Sequence, residues 1–413
     1  MNSSLWQTGD VLKNKLFIGI LSAIMVVVAG YFFFASGILD ISSLFENVSP
    51  EIYLNADNLN NNGNFKAAQE LLENEIKKNP ARGLKFALAD SILMEGAVRG
   101  TEAYSALRAR EILLPFENGR KDMRVYNLIG YSYEIIGDPD KALGYYNRSL
   151  SIDSKSPAAL YNVGRAYWFK GDFAKARDFY EKAEKNITRT TKNLLKSKIY
   201  AGIGLIESDS RNAENYFLRA LPFADSKAFR AEIYAMLSNG RLSQQDSQKA
   251  VEYAELAISA DPSNENGYVA YAKSVMPDKE LFAKNIAEVN EYLLKAIFLS
   301  PRNAEAQYWE GKFNFSTGNY TYAINSYQTA LALIPNDYSL DAQGKSYLKA
   351  DIYFDEAIVY MFKNDEKYKS YIKEAFKYNP TKVFYILDND PSLKKLRTAL
   401  IESNIFLMAK FKP

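Results

Sequence analysis

Three stretches of the chain repeat one order of small and aromatic residues, and this repetition constrains the fold more than any other feature of the sequence. The stretches are GYSYEIIGDPDKALGYYNRS (residues 130–149), GRAYWFKGDFAKARDFYEKA (164–183) and GKFNFSTGNYTYAINSYQTA (311–330). Each has glycine at its first and eighth positions, followed by alanine and tyrosine at matching later positions. A strand repeats every two residues and a helix every 3.6 or so, and neither period produces this order. The pattern therefore indicates a compound unit made of two elements.

The small residues of this pattern are compatible with two helices that pack closely across a tight turn. The first glycine leaves room where the helices meet, and the second can end the first helix because glycine adopts left-handed backbone angles at no steric cost. Proline cannot continue a helix, so a proline near the end of a unit stops the second helix. Such prolines stand at Pro80, Pro115, Pro262, Pro301, Pro335 and Pro380.

This pattern resembles the tetratricopeptide repeat (TPR), a helix–turn–helix unit of about 34 residues. Weaker copies lie at 61–80, 213–221 and 249–262, and we expect about nine units in all. The resemblance implies an all-α fold, a right-handed TPR α-solenoid over residues 49–382, with capping helices over 383–413 that cover the last unit. The alternative is a generic helical bundle, in which the shared glycine and alanine positions would have arisen by chance.

An uncharged apolar stretch, LFIGILSAIMVVVAGYFFFASGIL, occupies residues 16–39. A helix of this length spans about 36 Å, which is enough to cross a hydrocarbon core of about 30 Å. Lys13 and Lys15 precede it, so the positive-inside rule places residues 1–15 in the cytoplasm of a bacterium and the solenoid in the periplasm. Residues 40–48 then form a linker. A cleaved signal peptide is the alternative, but its apolar region is normally only about 7–15 residues long.

The residue types that the chain lacks exclude several classes of function. The sequence contains no cysteine and no histidine, so the usual zinc, haem and iron–sulfur sites and the histidine-dependent catalytic triads cannot form. Lysine and arginine number 51 and aspartate and glutamate 49, a balance that gives no support to nucleic-acid binding. We therefore expect no metal, no cofactor, no catalytic residue and no enzymatic activity.

The resemblance makes the concave side of the solenoid the candidate binding surface, because the first helix of each tetratricopeptide unit usually lines it. Aromatic residues there give contact area, and charged residues set the register of a bound polypeptide. Positions 2, 5, 9 and 12 of the best repeats select the candidate protein-binding residues: Tyr53, Arg124, Asn127, Tyr131, Tyr161, Arg165, Trp168, Tyr308, Lys312 and Phe315. For Tyr161 and Trp168, packing between helices is an equally open interpretation.

Two insertions interrupt the 34-residue spacing and form a second candidate region. They are MPDKE at 276–280 and NDYSLDAQGKS at 336–346, and we expect both to be surface loops. Insertions into repeat arrays often carry function, but lengthening a surface loop costs little free energy, so sequence drift explains them equally simply.

These features predict a non-enzymatic scaffold that is anchored in the inner membrane through residues 16–39 and binds other proteins of a periplasmic envelope complex. Its oligomeric state, homo- or hetero-oligomeric, is open. A periplasmic chaperone or envelope-biogenesis factor of the same architecture is the alternative, and it would bind many unfolded clients instead of one defined complex. The overall plan is similar to that of the inner-membrane-anchored tetratricopeptide proteins that build the flagellar motor collar of spirochaetes, although no motif here is specific to them.

Overall fold

The computed structural model describes residues 48–403, except for 100, 120, 338, 339 and 341. The predicted transmembrane helix (16–39) and the predicted tail (1–15) lie outside the described residues, as do linker residues 40–47 and the last ten residues of the chain. Within the described part the elements are helices and short 3-10 segments, without a strand. None of these helices is both long enough and apolar enough to cross a bilayer.

The described helices form nine successive pairs, which we call units 1 to 9. The pairs are α1 (Pro50–Asn61) and α2 (Phe65–Lys78), α3 (Arg82–Arg99) and α4 (Glu102–Leu113), α5 (Met123–Glu134) and α6 (Pro139–Leu150), α7 (Pro157–Phe169) and α8 (Phe173–Lys185), α9 (Asn193–Ile206) and α10 (Ser210–Ala220), α11 (Lys227–Ser243) and α12 (Ser247–Ala260), α13 (Glu265–Val275) and α14 (Lys279–Leu299), α15 (Ala304–Ser316) and α16 (Tyr320–Leu333), and α17 (Ala342–Phe362) and α18 (Tyr368–Tyr378). The predicted all-α repeat array is confirmed.

The pairs stack in chain order as a solenoid. Each helix packs against the next one along the chain, and the first helix of a unit also packs against the first helix of the following unit, except between units 5 and 6 of the described residues, where no such packing of comparable extent is seen. Second helices make no comparable contact with the next second helix among the described residues. Because the inner layer of a curved stack is the more closely spaced one, the first helices form the inner layer and the second helices the outer layer.

The turn inside a unit has the geometry that the second glycine predicts. Gly137 and Gly171 have φ angles of 74° and 76°, in the left-handed region that glycine enters most easily. The aspartate that follows each glycine caps the second helix, since the side chains of Asp138 and Asp172 each accept a hydrogen bond from a backbone N–H in the first turn. In unit 6 the left-handed position is taken by Gln245, with φ of 61°.

The two insertions are surface loops only in part: residues 276–278 form a turn, as expected, but each insertion also lengthens the helix that follows it. The helices α14 and α17 each contain 21 residues, and residues 279–280 and 342–346 of the inserted segments are helical. The helix α14 bends at Asn285, whose φ and ψ of −119° and 19° are not helical. Extending a helix satisfies the backbone hydrogen bonds of the extra residues, which a loop would leave to water.

Two further helices, α19 (Pro380–Asn389) and α20 (Lys394–Glu402), follow unit 9. Their buried residues Val383, Leu387, Leu396 and Leu400 join one hydrophobic cluster with residues of α17 and α18. The face that a tenth unit would cover is therefore occupied by these shorter helices, as a solenoid end requires.

Candidate partner-binding surface

The first helices of units 2 to 6 line a concave surface that we call the inner wall. Five charged side chains, one from each helix, lie on it: Asp90 (α3), Glu134 (α5), Arg165 (α7), Lys198 (α9) and Glu232 (α11). They lie close enough together that Arg165 and the three carboxylates all act electrostatically on the ammonium group of Lys198. The charged groups of the inner wall thus influence one another across several units.

Arg165 is held at the centre of the inner wall by a buried network. Its Nε lies 2.7 Å from Oε1 of Glu134, and its Nη2 donates a hydrogen bond to the hydroxyl of Tyr146 at 3.4 Å. That hydroxyl donates in turn to Oε2 of Glu134 at 3.0 Å. Glu134 and Tyr146 are both buried, so the network fixes the guanidinium in one orientation.

Two tyrosine rings flank this guanidinium. The Cζ atom of Arg165 lies 5.1 Å from the ring centre of Tyr131 and 5.4 Å from that of Tyr161, within the range of a cation–π interaction. The three predicted residues Tyr131, Tyr161 and Arg165 are therefore brought together in one cluster. Tyr161 is also buried and stacks on Tyr180, with 5.6 Å between ring centres, so its ring packs between helices as well.

Three charged side chains of the inner wall lack a direct partner. Asp90, Lys198 and Glu232 are half-buried, yet among the described residues none of their side chains forms an ion pair or a hydrogen bond. The ammonium group of Lys198 lies 6.0 Å from the ring centre of Phe229. Each of the three can still accept or donate a hydrogen bond to a bound molecule.

The environment of the inner wall shifts the pKa values of these groups toward neutrality. Burial, assisted by the charge of Asp57, raises the pKa of Asp90 to about 6. Burial raises the pKa of Glu232 to about 7, although Lys198 opposes the change. Burial and the nearby Arg165 lower the pKa of Lys198. The negative charge of the inner wall therefore increases as the pH rises through 6 and 7.

Tyr308 and Lys312 form a second predicted group, in unit 8. The hydroxyl of Tyr308 donates to Oδ2 of Asp355 at 2.8 Å, and Nζ of Lys312 lies 3.3 Å from the same oxygen. Because Asp355 belongs to α17, this carboxylate ties units 8 and 9 together. Phe315, the third predicted residue of the unit, has its ring centre 5.7 Å from that of Phe362, also in α17.

The remaining predicted residues are dispersed. Arg124 is paired with Asp122 at 3.0 Å, and Tyr53 packs against the hydrophobic core of units 1 and 2. The side-chain oxygen of Asn127 is buried and accepts no hydrogen bond among the described residues. Trp168 is half-buried and packs edge-to-face against Phe169, with 4.9 Å between ring centres. Partner binding by any of the ten residues stays a prediction.

Lys198 and Glu232 were not selected from the sequence, although a signal for them exists. The repeat pattern that selects the four concave positions is strongest in other units, whereas these residues belong to units 5 and 6, where it is weaker. Counting from the expected starts near 194 and 231, Lys198 falls on position 5 and Glu232 on position 2. Asp90 has no such signal, because α3 begins at Arg82 and is 18 residues long, which shifts it out of the regular register.

Comparison with protein-family models identifies the repeats. Tetratricopeptide-repeat models match residues 128–188, 231–264 and 286–338. The chain carries tetratricopeptide repeats. These matches fall on units 3 and 4, on unit 6, and on the second helix of unit 7 together with the whole of unit 8. They include the three stretches with the strongest pattern.

Related proteins agree with the TPR assignment. The photosystem I assembly protein Ycf3 of Rippkaea orientalis is 33% identical over 81 residues, a match that spans 20% of this chain and 43% of that protein. The IFIT1 monomeric mutant with Gppp-AAAA superposes with a TM-score of 0.55 at 14% identity, covering 84% of this chain and 82% of that one. Yeast Tom70 gives a TM-score of 0.43 at 18% identity, covering 80% of this chain and 61% of that one. At 14% identity the IFIT1 superposition supports the fold alone.

Proposed function

We propose that this TPR chain is a non-enzymatic scaffold that holds a segment of another protein against its inner wall. TPR proteins serve as protein-interaction scaffolds, and repeat arrays offer long surfaces suited to this role. The observation that carries the proposal is the set of unpartnered charges at Asp90, Lys198 and Glu232, beside the tyrosine rings around Arg165. A bound polypeptide can supply counter-charges and hydrogen bonds that the chain itself leaves open.

We propose further that residues 16–39 anchor the chain in the bacterial inner membrane, with the solenoid in the periplasm. The length of the apolar stretch and the preceding lysines support this arrangement. Anchoring would raise the local concentration of partners in the same membrane, so that modest contacts on the inner wall suffice for binding. Such an anchored scaffold fits an envelope complex, of which the flagellar motor collar is one example.

Photo-crosslinking of the full-length chain in intact cells tests the proposed binding surface. A photoreactive amino acid would replace Lys198 or Glu232 on the inner wall, and Phe298 would serve as the outer control because it is 77% exposed on α14. If the chain is a scaffold, the inner positions alone should yield one dominant crosslinked protein, in a constant proportion to the chain. Many different products would instead support the chaperone alternative, and products from Phe298 alone would overturn the inner wall as the binding surface.

Cysteine labelling tests the proposed orientation, because the chain contains no cysteine of its own. A single cysteine in place of exposed Lys363 should react with a membrane-impermeant maleimide once the outer membrane is permeabilised. A cysteine in place of Ser3 should react only after the inner membrane is disrupted. The reverse order of labelling would contradict a periplasmic solenoid.

A further inference from the structure

Two ion pairs connect units that are far apart along the solenoid. The Oδ2 atom of Asp57 in unit 1 lies 3.5 Å from Nζ of Lys192, which immediately precedes α9 of unit 5. The Oε2 atom of Glu102 in unit 2 lies 3.8 Å from Nη1 of Arg302, which is just before α15 of unit 8. The curved stack therefore brings its first two units back toward units 5 and 8, across the mouth of the inner wall.

The charges that units 1 and 2 present to unit 5 are complementary to those of unit 5. Asp57 and Asp90 belong to units 1 and 2, whereas Lys192 and Lys198 belong to unit 5. Both lysines act electrostatically on the carboxylate of Asp90, so the attraction extends beyond the one close pair. Opposed pairs of like charge would instead push the two sides apart.

The two ion pairs are the main contacts that join units 1 and 2 to units 5 and 8. Among the described residues, no helix of units 1 and 2 packs extensively against a helix of units 5 to 8. The side chains of Asp57 and Lys192 are 51% and 53% exposed, and exposed ion pairs are individually weak and screened by salt. Such a closure can be opened without disturbing the hydrophobic core of any unit.

We propose that units 1 and 2 act as an electrostatic gate over the inner wall, closed by Asp57–Lys192 and Glu102–Arg302 and opened when a charged polypeptide or salt competes for these groups. A partner segment carrying both basic and acidic side chains can replace the two halves of each pair. The use of the gate for binding rests on the proposed function, but its opening is a property of the chain alone. Opening requires only small rotations summed over successive units, since each unit contacts mainly its neighbours.

Distance measurement between two spin labels tests the gate in the full-length chain. Cysteines replacing Asn55 and Asn193, both exposed, place the labels on opposite sides of the mouth, and the chain offers no other thiol. We expect a short distance at low salt and a shift toward longer distances at about 1 M salt, where the screening length is about 3 Å. The variant Asp57→Lys/Glu102→Lys should show the longer distances at low salt.

Restoring the charges provides the decisive control. Adding Lys192→Asp and Arg302→Glu to the reversed variant re-forms both pairs with opposite polarity and should return the short distance. In the second pair Arg302 is 50% exposed but Glu102 only 15%, so salt screens that pair less; breaking both pairs should change the ratio of open to closed molecules roughly 2- to 30-fold. The matched control Asp178→Lys, which reverses one partner of an exposed pair with Lys182 within α8, should leave the distance unchanged.

Two results would overturn the gate: label distances insensitive to salt and to reversal, or a reversed variant that the compensating substitutions fail to restore while its helicity stays normal. Neither result depends on a partner. One further outcome is that the label distances respond to salt and to charge reversal while the inner wall captures no protein in the crosslinking experiment. In that case the proposed function is wrong, but the gate still stands.

Discussion

A Cβ atom added at Gly164 would lie 2.7 Å from Cδ1 of Tyr180, so these two residues set the separation of α7 and α8. The ring of Tyr180 is only 2% exposed, and it also lies against the next unit. A Cβ at Gly202 of α9 would be 3.1 Å from its Cζ atom. The ring of Tyr180 therefore lies between α7 and α9, the first helices of units 4 and 5, and faces a glycine on each of them.

We expect Gly164→Ala to destabilise units 4 and 5 even though alanine is the better helix former. Alanine favours a helix interior by about 1 kcal/mol relative to glycine. The added methyl group must displace a buried ring, however, and such overpacking costs about 1–3 kcal/mol. Urea unfolding followed by circular dichroism should give a lower midpoint than for the wild type.

Gly144 in α6 provides the matched control for this substitution. It is exposed, and a Cβ there would meet no atom within 4 Å. Gly144→Ala should therefore raise the free energy of unfolding by about 0.5–1 kcal/mol through helix propensity alone. Equal gains at Gly144 and Gly164 would mean that close helix packing does not explain the glycine of the repeat.

The interior of each unit could be predicted from the sequence because it depends on local spacing. The close approach at Gly164 and the left-handed turn at Gly171 follow from residues within one 34-residue repeat. The contacts between Asp57 and Lys192 and between Glu102 and Arg302 could not be predicted, because they depend on the sum of small rotations over four or more units. The lengthened helix α14 was missed because an insertion looks the same in sequence whether it extends a loop or a helix.

The network at Arg165 predicts a large loss of stability when only one of its charges is removed. Arg165→Met keeps most of the aliphatic stem but leaves the carboxylate of Glu134, which is 5% exposed, without its cation. Breaking a buried pair in this way costs about 3–5 kcal/mol. The free energy of unfolding of unit 4, measured by native-state hydrogen exchange, should fall by that order.

The double variant Arg165→Met/Glu134→Gln separates charge from packing. Removing both charges avoids a buried lone carboxylate, so most of the lost stability should return. A double variant as unstable as Arg165→Met alone would show that Arg165 acts mainly through its contacts with Tyr131 and Tyr161.

Glu356 predicts a pH-dependent stability at the last unit. Its side chain is fully buried in α17 and forms no ion pair among the described residues, and burial raises its pKa to about 8, with Gln328 opposing part of the rise. The folded state therefore keeps Glu356 protonated while the unfolded chain ionises it near its ordinary pKa of 4.5. Stability is fully present below that value, declines as the pH rises, and levels off above about 8.

Glu356→Gln should remove this dependence, because glutamine stays neutral at every pH. Hydrogen exchange in α17 and α18, compared at pH 5 and pH 8 after correction for intrinsic rates, should change less in the variant than in the wild type. Glu402, which is exposed on α20, provides the control: Glu402→Gln should leave the pH dependence as it is. A wild-type unit 9 that is equally stable at both pH values would contradict the role assigned to Glu356.

The helices after unit 9 predict a loss of stability confined to one end of the solenoid. Leu396 in α20 is fully buried against unit 9, so Leu396→Ala should cost about 2–5 kcal/mol by leaving a cavity. Because each unit contacts mainly its neighbours, hydrogen exchange should accelerate in units 8 and 9 and stay unchanged in units 3 and 4. Ile401→Ala in the same helix, where the side chain is 50% exposed, should change stability by less than about 0.5 kcal/mol. Uniform acceleration across all units would instead mean that the array unfolds as a single block, and that α19 and α20 stabilise the whole chain.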